Sequence, residues 1–238
     1  MVEQLSHRLS ELLALRHPQV ALTFVDRAPT ESPRVTGAEP SACTFWRRAE
    51  TESFFATAAD HHNCPIGSFV MGFDLPAPAS DRLGGLVQSM CDAQYIESSE
   101  AAAIPRMPRT AAGIVYGPLA EATSTPDLVL AWVDLAHAMI FNEASGDARW
   151  TTAAADVTGR PGCAALPRAI ARNGPSLSFG CVGMRTFTGI EDGLGLAAIP
   201  GGELAAFIGA LARTARANES MRAFYEAHRE AVCANAGS

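Results

Sequence analysis

Six cysteines carry the most distinctive chemistry in this chain: Cys43, Cys64, Cys91, Cys163, Cys181 and Cys233. A thiolate can act as a nucleophile, a redox centre or a ligand for soft metals. Cys43 follows Ser41-Ala42 at a predicted helix start. Cys64 precedes Pro65 and a second start, and Cys163 follows Pro161-Gly162 and begins a third. Free amides and the helix dipole at such positions favour the thiolate. Cys181 stands in Gly180-Cys181-Val182-Gly183, where missing side chains leave room for a ligand against the backbone. No Cys-x-x-Cys pair is present, so zinc-ribbon and ferredoxin patterns are absent. The plain alternative is a cysteine buried as a small hydrophobe. Cys91, beside Met90 on a helix face, and Cys233, in the last helix, fit that alternative best. Spacing alone leaves the other four open between core and ligand.

The elements that must position them show an internal echo. In residues 41–72 a cysteine precedes a short helix, then a strand, then a second cysteine beside glycine. Residues 161–187 repeat that order. A duplicated unit would bring four thiols toward one centre; chance is the other reading, since few residues are identical.

Around these segments, Leu5, Leu9, Leu12 and Leu13 predict an amphipathic helix over 3–15. Val20–Val25 and Phe54–Thr57 read as strands, and residues 27–40 as a loop. Residues 80–96 are helical, with Leu83, Leu86, Val87 and Met90 on one face. Gly113–Tyr116 is a short strand. The uncharged run Leu128–Val133, bounded by Asp127 and Asp134, predicts a buried strand. A helix follows it to Phe141. Trp150–Ala154 reads as a strand, Cys163–Asn173 as a helix, and Leu177–Cys181 and Leu196–Ile199 as strands. Two closing helices are expected at 201–215 and 218–234. Mixed helices and strands without a long linker predict one α+β (mixed α/β) domain over residues 1–238, with two related halves around a shared cysteine site as one arrangement.

The 238 residues carry a net charge of −7 and are 48% hydrophobic, enough for a buried core. All 18 basic residues are arginine. Without lysine there is no Schiff base, no pyridoxal-phosphate anchor and no Walker-type phosphate loop. Acidic balance with scattered arginines argues against nucleic acid as a partner. The start Met1-Val2-Glu3-Gln4 lacks a signal peptide's basic region, and Asp134 and His137 interrupt the longest apolar run. A cytoplasmic protein with no membrane partner is expected, and its cysteines would stay reduced.

Several segments together resemble a family. Ala42-Cys43-Thr44-Phe45-Trp46-Arg47, Phe54-Phe55-Ala56-Thr57-Ala58-Ala59-Asp60 and Asn63-Cys64-Pro65-Ile66-Gly67 resemble the bacterial and archaeal domain-of-unknown-function 169 family. Pro175–Arg185 is similar to its C-terminal signature and Ala198-Ile199-Pro200 to its closing motif. The likeness spans about residues 15–213. It implies a four-cysteine site at Cys43, Cys64, Cys163 and Cys181, with Arg185 matched as well. Two features depart from the family pattern: His137-Ala138-Met139 stands where Gln-Ala-Met is common, and His61-His62 is an unusual pair before Cys64.

The expected function is an iron–sulfur protein, of the 4Fe–4S kind, with those four cysteines as ligands and a redox or small-molecule role. Zinc is the neighbouring option. A second hypothesis is a cluster-dependent lyase or hydratase acting on a small carboxylate, with Arg185 holding the carboxylate and His62 or His137 moving protons. A third is a cysteine-based sensor of soft metals or oxidants, with no prosthetic group. A small-molecule ligand or a redox partner is expected, and the closing helices could bury an apolar stripe in a homodimer. His61 is expected at the surface, and Asp60, Glu191 and Asp192 as solvated turn residues.

Overall fold

The run between Asp127 and Asp134 forms the strand on which the domain is built. In the computed structural model, which describes residues 2–108, 110–146, 153 and 155–236, Leu128–Asp134 is β4, and its residues from Leu128 to Val133 are all buried. Burial on both faces explains why it reads as a continuous apolar run rather than an alternation. Leu128, Leu130 and Trp132 face one half of the core, and Val129, Ala131 and Val133 face the other.

The other strands are β1 (Val20–Val25), β2 (Phe54–Thr57), β3 (Gly113–Pro118), β5 (Asp156–Thr158), β6 (Ser176–Ser178) and β7 (Leu194–Pro200). They form one seven-stranded sheet in the order β2-β3-β1-β4-β7-β6-β5. Every pairing is antiparallel except β5 with β6. The expected strand at Trp150–Ala154 lies largely outside the described residues. The parallel strand β5 just after it has no sequence signal beyond Val157.

The helices are α1 (Val2–Leu13), α2 (Ala42–Arg48), α3 (Pro65–Val70), α4 (Ala77–Asp92), α5 (Ser98–Ala102), α6 (Leu135–Ala144), α7 (Ala165–Arg172), α8 (Val182–Thr188) and α9 (Leu204–Ala236). α1, α6 and the start of α9 cover the sheet face bearing Val129 and Val133. α2, α3, α7 and α8 carry residues of the opposite half of the core, which also contains Cys43 and Cys163. Mixed α/β is thus the fold class, in one domain.

The close of the chain differs from expectation. Instead of two helices, α9 runs unbroken for 33 residues. Ala215-Arg216-Ala217, at the expected break, are strong helix formers with neither glycine nor proline among them. Leu204, Phe207, Ile208 and Leu211 anchor its first turns, while Met221, Phe224, Tyr225 and Val232 are exposed. Among the described residues, no helix is long and apolar enough to cross a membrane.

α4 departs in another way. Its amphipathic face is present, yet Ala79 is its one buried residue. Leu86, Val87 and Met90 line a cavity instead of packing into the core.

Candidate functional site

The four cysteines come from four separate segments. Cys43 is the second residue of α2, and Cys64 is the N-cap of α3, with Pro65 in its first turn. Cys163 sits in a single 3-10 turn, Gly162–Ala164, that leads into α7. Cys181 is the N-cap of α8, and its sulfur accepts the Met184 N–H at 3.4 Å. Each half therefore runs helix, strand, then a cysteine at a helix N-cap. The two halves interleave: α2 packs against α8, and α3 against the 162–164 turn.

Two glycines permit that approach. A Cβ on Gly67 would lie 2.6 Å from Ala42 Cβ and 2.9 Å from Cys64 Sγ. A Cβ on Gly162 would lie 2.9 Å from Met184 Sδ and 3.2 Å from Gly180 Cα. Gly180 has a φ of +83°, a conformation that side chains strain to adopt, and it turns the chain into Cys181. Gly67→Ala is expected to push α3 off α2 and to lower the unfolding midpoint by several degrees, corresponding to about 1–3 kcal/mol for overpacking. An unchanged midpoint would show that the close approach is unimportant.

All four cysteines line one cavity of about 650 Å³. Its other walls are mostly apolar and include Leu86, Val87 and Met90 of α4, Ile104, Met184 and Phe187. The thiols lie near enough to feel one another. Burial pushes the Cys43 thiol well above its usual pKa, and the nearby Cys64 and Cys181 add to this. Burial does the same for Cys163, reinforced by Cys43, Cys64 and Cys181. Burial also raises Cys64, while N–H groups of Ala42 and Gly67 directed at its sulfur oppose the shift. Such thiols are protonated on their own. A bound cation reverses the balance, because its charge stabilises the thiolates that burial disfavours.

The Ser41 hydroxyl is buried at the start of α2 and on the cavity lining; among the described residues no partner lies at ordinary hydrogen-bond geometry, and its influence falls on the Cys43 thiol, whose ionisation it favours. Among the described residues, no three His, Cys, Asp or Glu side chains are gathered tightly enough to hold a single metal ion. The thiols border a space rather than a point.

The remaining sequence candidates are dispersed. Cys91 lies on α4, with its sulfur 3.9 Å from Ser98 Oγ, and Cys233 is exposed on α9; neither lines the cavity. His137 is not brought to the thiols. It lies on α6, whose helix covers the opposite face of the sheet, and its Nδ1 is 2.8 Å from Asp134, the N-cap of that helix. His62 adjoins Asn63 and Cys64 in sequence, but its ring is absent from the cavity lining, and among the described residues its buried Nε2 has no hydrogen-bond partner.

Arg185 is one helical turn beyond Cys181, because α8 forms where a turn at Gly183 was expected. Its guanidinium donates to the carbonyls of Phe179 at 2.7 Å, Leu194 at 3.1 Å and Glu191 at 3.4 Å. It thus ties the Gly180–Cys181 turn to the start of β7. Arg185→Lys keeps the charge but cannot span three carbonyls. It should lower the unfolding midpoint by a few degrees, corresponding to about 1 kcal/mol for lost hydrogen bonds. An unchanged midpoint would contradict that tie.

His61 corrects the surface expectation: it is buried, between the rings of Phe45 and Phe73, each at 4.8 Å between centroids. Asp60 accepts the Thr57 N–H at 2.7 Å and its O–H at 2.6 Å, closing the turn after β2. Glu191 pairs with His17 at 3.0 Å and Arg16 at 3.6 Å.

Sequence reasoning missed Tyr95 and Arg160. Arg160 stacks over the Tyr95 ring at 4.5 Å, and the Tyr95 hydroxyl accepts the Val182 N–H at 3.4 Å. Both residues line the cavity with Cys181. Neither stands in a recognisable motif, and only the tertiary fold joins them.

Fold and site together define a mixed α/β protein whose two interleaved helix–strand–cysteine units present four thiols to one apolar cavity. The sequence model of the family described as "Uncharacterised ArCR, COG2043", domain of unknown function 169, matches residues 8–209. The chain belongs to that family. No curated protein and no solved structure matches it.

Proposed function

We propose that this protein carries an iron–sulfur cluster, of the 4Fe–4S kind, on Cys43, Cys64, Cys163 and Cys181, and uses it in a redox or small-molecule role. The observation that carries this reading is the meeting of four thiols, from four distant segments, on one largely apolar cavity. Thiolates select soft metals and iron–sulfur clusters. A multi-iron cluster binds each thiolate through a different iron, so its ligands need not converge on one ion. A mononuclear zinc site would need sulfurs about 2.3 Å from a common metal, a tighter gathering than the described residues make.

The chain's own groups would support such a cluster in specific ways. The Ala42 and Gly67 N–H groups and the Met184 N–H point at cysteine sulfurs and would stabilise them as thiolates. The Ser41 hydroxyl beside Cys43 already favours that thiolate and would be a further donor to its sulfur. The apolar walls limit water around the sulfurs, which bears on potential and cluster lifetime. Held by all four thiolates, the cluster would supply electron transfer; a Lewis-acid iron would require that one of the four cysteines not ligate.

The size of the cavity favours a small-molecule role over simple electron transfer, since pockets for organic ligands run about 300–1,000 Å³. Purification without oxygen, followed by iron, zinc and acid-labile sulfide analysis, tests the proposal. Iron and sulfide in near-equal amounts are expected. Zinc without sulfide would contradict it, and four reactive thiols without metal would favour the sensor reading.

A further inference from the structure

The cysteines occupy only part of the cavity lining, and the remainder has a chemistry of its own. Its apolar portion includes Leu86, Val87 and Met90 on α4, with Ile104 and Phe187. Leu86 is 37% exposed and Phe187 48%, so this apolar surface is not sealed by the protein itself. A second, more polar cavity of about 620 Å³ lies beside the first and shares Tyr95, Glu100, Arg160, Cys181 and Val182 with it. Arg185 lines only the second. An apolar chamber therefore continues into one that holds two guanidinium groups.

Both guanidinium groups are held in place. The Arg160 guanidinium carbon lies 4.5 Å from the centre of the Tyr95 ring, and the Tyr95 hydroxyl accepts the Val182 N–H. Arg185 is fixed by its three carbonyls, and among the described residues no carboxylate pairs with it. Among the residues lining the two cavities, the one carboxylate is Glu100, 3.6 Å from Arg160, and both partners are about half exposed. An exposed pair at that distance contributes little, on the order of 0–1 kcal/mol, and can yield to a better ligand.

We infer that the joined cavities bind an amphiphilic organic anion, with its apolar chain or ring against α4 and its acid group between Arg160 and Arg185, beside Cys181. The apolar part contributes through burial, and the acid group through charge-assisted hydrogen bonds to arginines whose positions are already set. This ligand shares the cavity with the proposed cluster, yet its recognition rests on different residues.

The test is calorimetric titration of anaerobically purified full-length protein with 4-phenylbutyrate and with 4-phenylbutanol, which differ only in the acid group. The acid should bind roughly ten-fold or more tightly than the alcohol, the range that a charged hydrogen-bond pair supplies. Arg160→Gln should remove most of that preference and leave alcohol binding nearly unchanged, whereas Arg185→Gln, which also frees the Gly180–Cys181 turn, should remove the preference and weaken both ligands. Leu86→Glu, at a partly exposed position, should weaken both ligands. Equal binding of acid and alcohol, or a preference that survives both arginine substitutions, overturns the inference. So does failure of the acid to bind. Iron and sulfide are measured on the same samples. Selective acid binding without a cluster keeps this inference and removes the cluster reading; a loaded protein that binds neither compound does the reverse.

Discussion

Protein carrying Cys163→Ala is expected to emerge from anaerobic purification folded but with its iron content reduced by roughly ten-fold or more, a loss at least as large as those seen when groups merely supporting a metal ligand are removed. Cys163 is the most informative of the four to change. It is 4% exposed, it sits in a single 3-10 turn, and its thiol is affected by all three of the others. Losing one sulfur from the core costs little stability, because the removed atom is small and the turn is held by the Ala164 N–H to the Pro161 carbonyl at 2.9 Å. Losing one of four ligands leaves an iron without its thiolate. Cys91→Ala and Cys233→Ala are the controls, since neither residue lines the cavity. Wild-type iron content in Cys163→Ala, or an equal loss in either control, would contradict the ligand assignment.

The second large effect is on acid stability and arises behind the cysteines, at His61. A carbonyl can only accept, so His61 Nδ1 donates to the Thr57 carbonyl at 2.7 Å, and Nε2 is left to accept the Tyr116 O–H at 2.8 Å. The ring is neutral in this arrangement. Burial lowers its pKa from 6.5 to about 4, although the Thr57 carbonyl and Asp60 favour the cation. In the unfolded chain the same histidine takes up a proton near pH 6.5. Above that pH both states are neutral and the group adds no pH dependence. As pH falls from 6.5 toward 4 only the unfolded state binds the proton, so stability declines. At about 1.4 kcal/mol per pH unit, the loss reaches on the order of 3 kcal/mol by pH 4. Denaturant unfolding midpoints measured from pH 7 to pH 4 should fall for the wild type. His61→Gln, which cannot titrate, should be less stable at pH 7 and show a flatter decline. Parallel slopes for the two proteins would rule out His61 as the source.

How much of this was legible in the sequence depends on how local the cause is. Leu128–Val133 was readable as a strand because its boundaries, Asp127 and Asp134, are themselves structural. Asp134 caps α6 by accepting the His137 N–H, and Asp127 accepts the Phe24 N–H at 2.6 Å. The start of α3 is marked by Pro65 in its first turn, whereas Ser41 marks the start of α2 by residue type alone, since its hydroxyl makes no capping hydrogen bond. The face of α4 was readable too, but not its partner: amphipathic spacing says that one side avoids water, not whether core or cavity lies opposite. Nothing divides α9 into two helices: no glycine or proline stands at residues 215–218 to punctuate it.

His61 and His62 show the limit most clearly. Adjacent and chemically identical, they differ because the turn after β2 aims His61 between Phe45 and Phe73, while the His62 ring is not on the cavity. His137, three residues from Asp134, reads equally well as a proton donor or as part of a helix cap until the sheet separates it from the thiols. The pairing of Arg160 with Tyr95 joins residues distant in sequence, and no local pattern records it.

The most direct test of the central claim is iron X-ray absorption spectroscopy on full-length protein purified without oxygen. A coordination shell of sulfur alone around iron is expected, together with an iron–iron scattering path, both lost in Cys163→Ala. Iron surrounded by oxygen or nitrogen, or iron bound by sulfur with no second iron nearby, would contradict a cluster on Cys43, Cys64, Cys163 and Cys181.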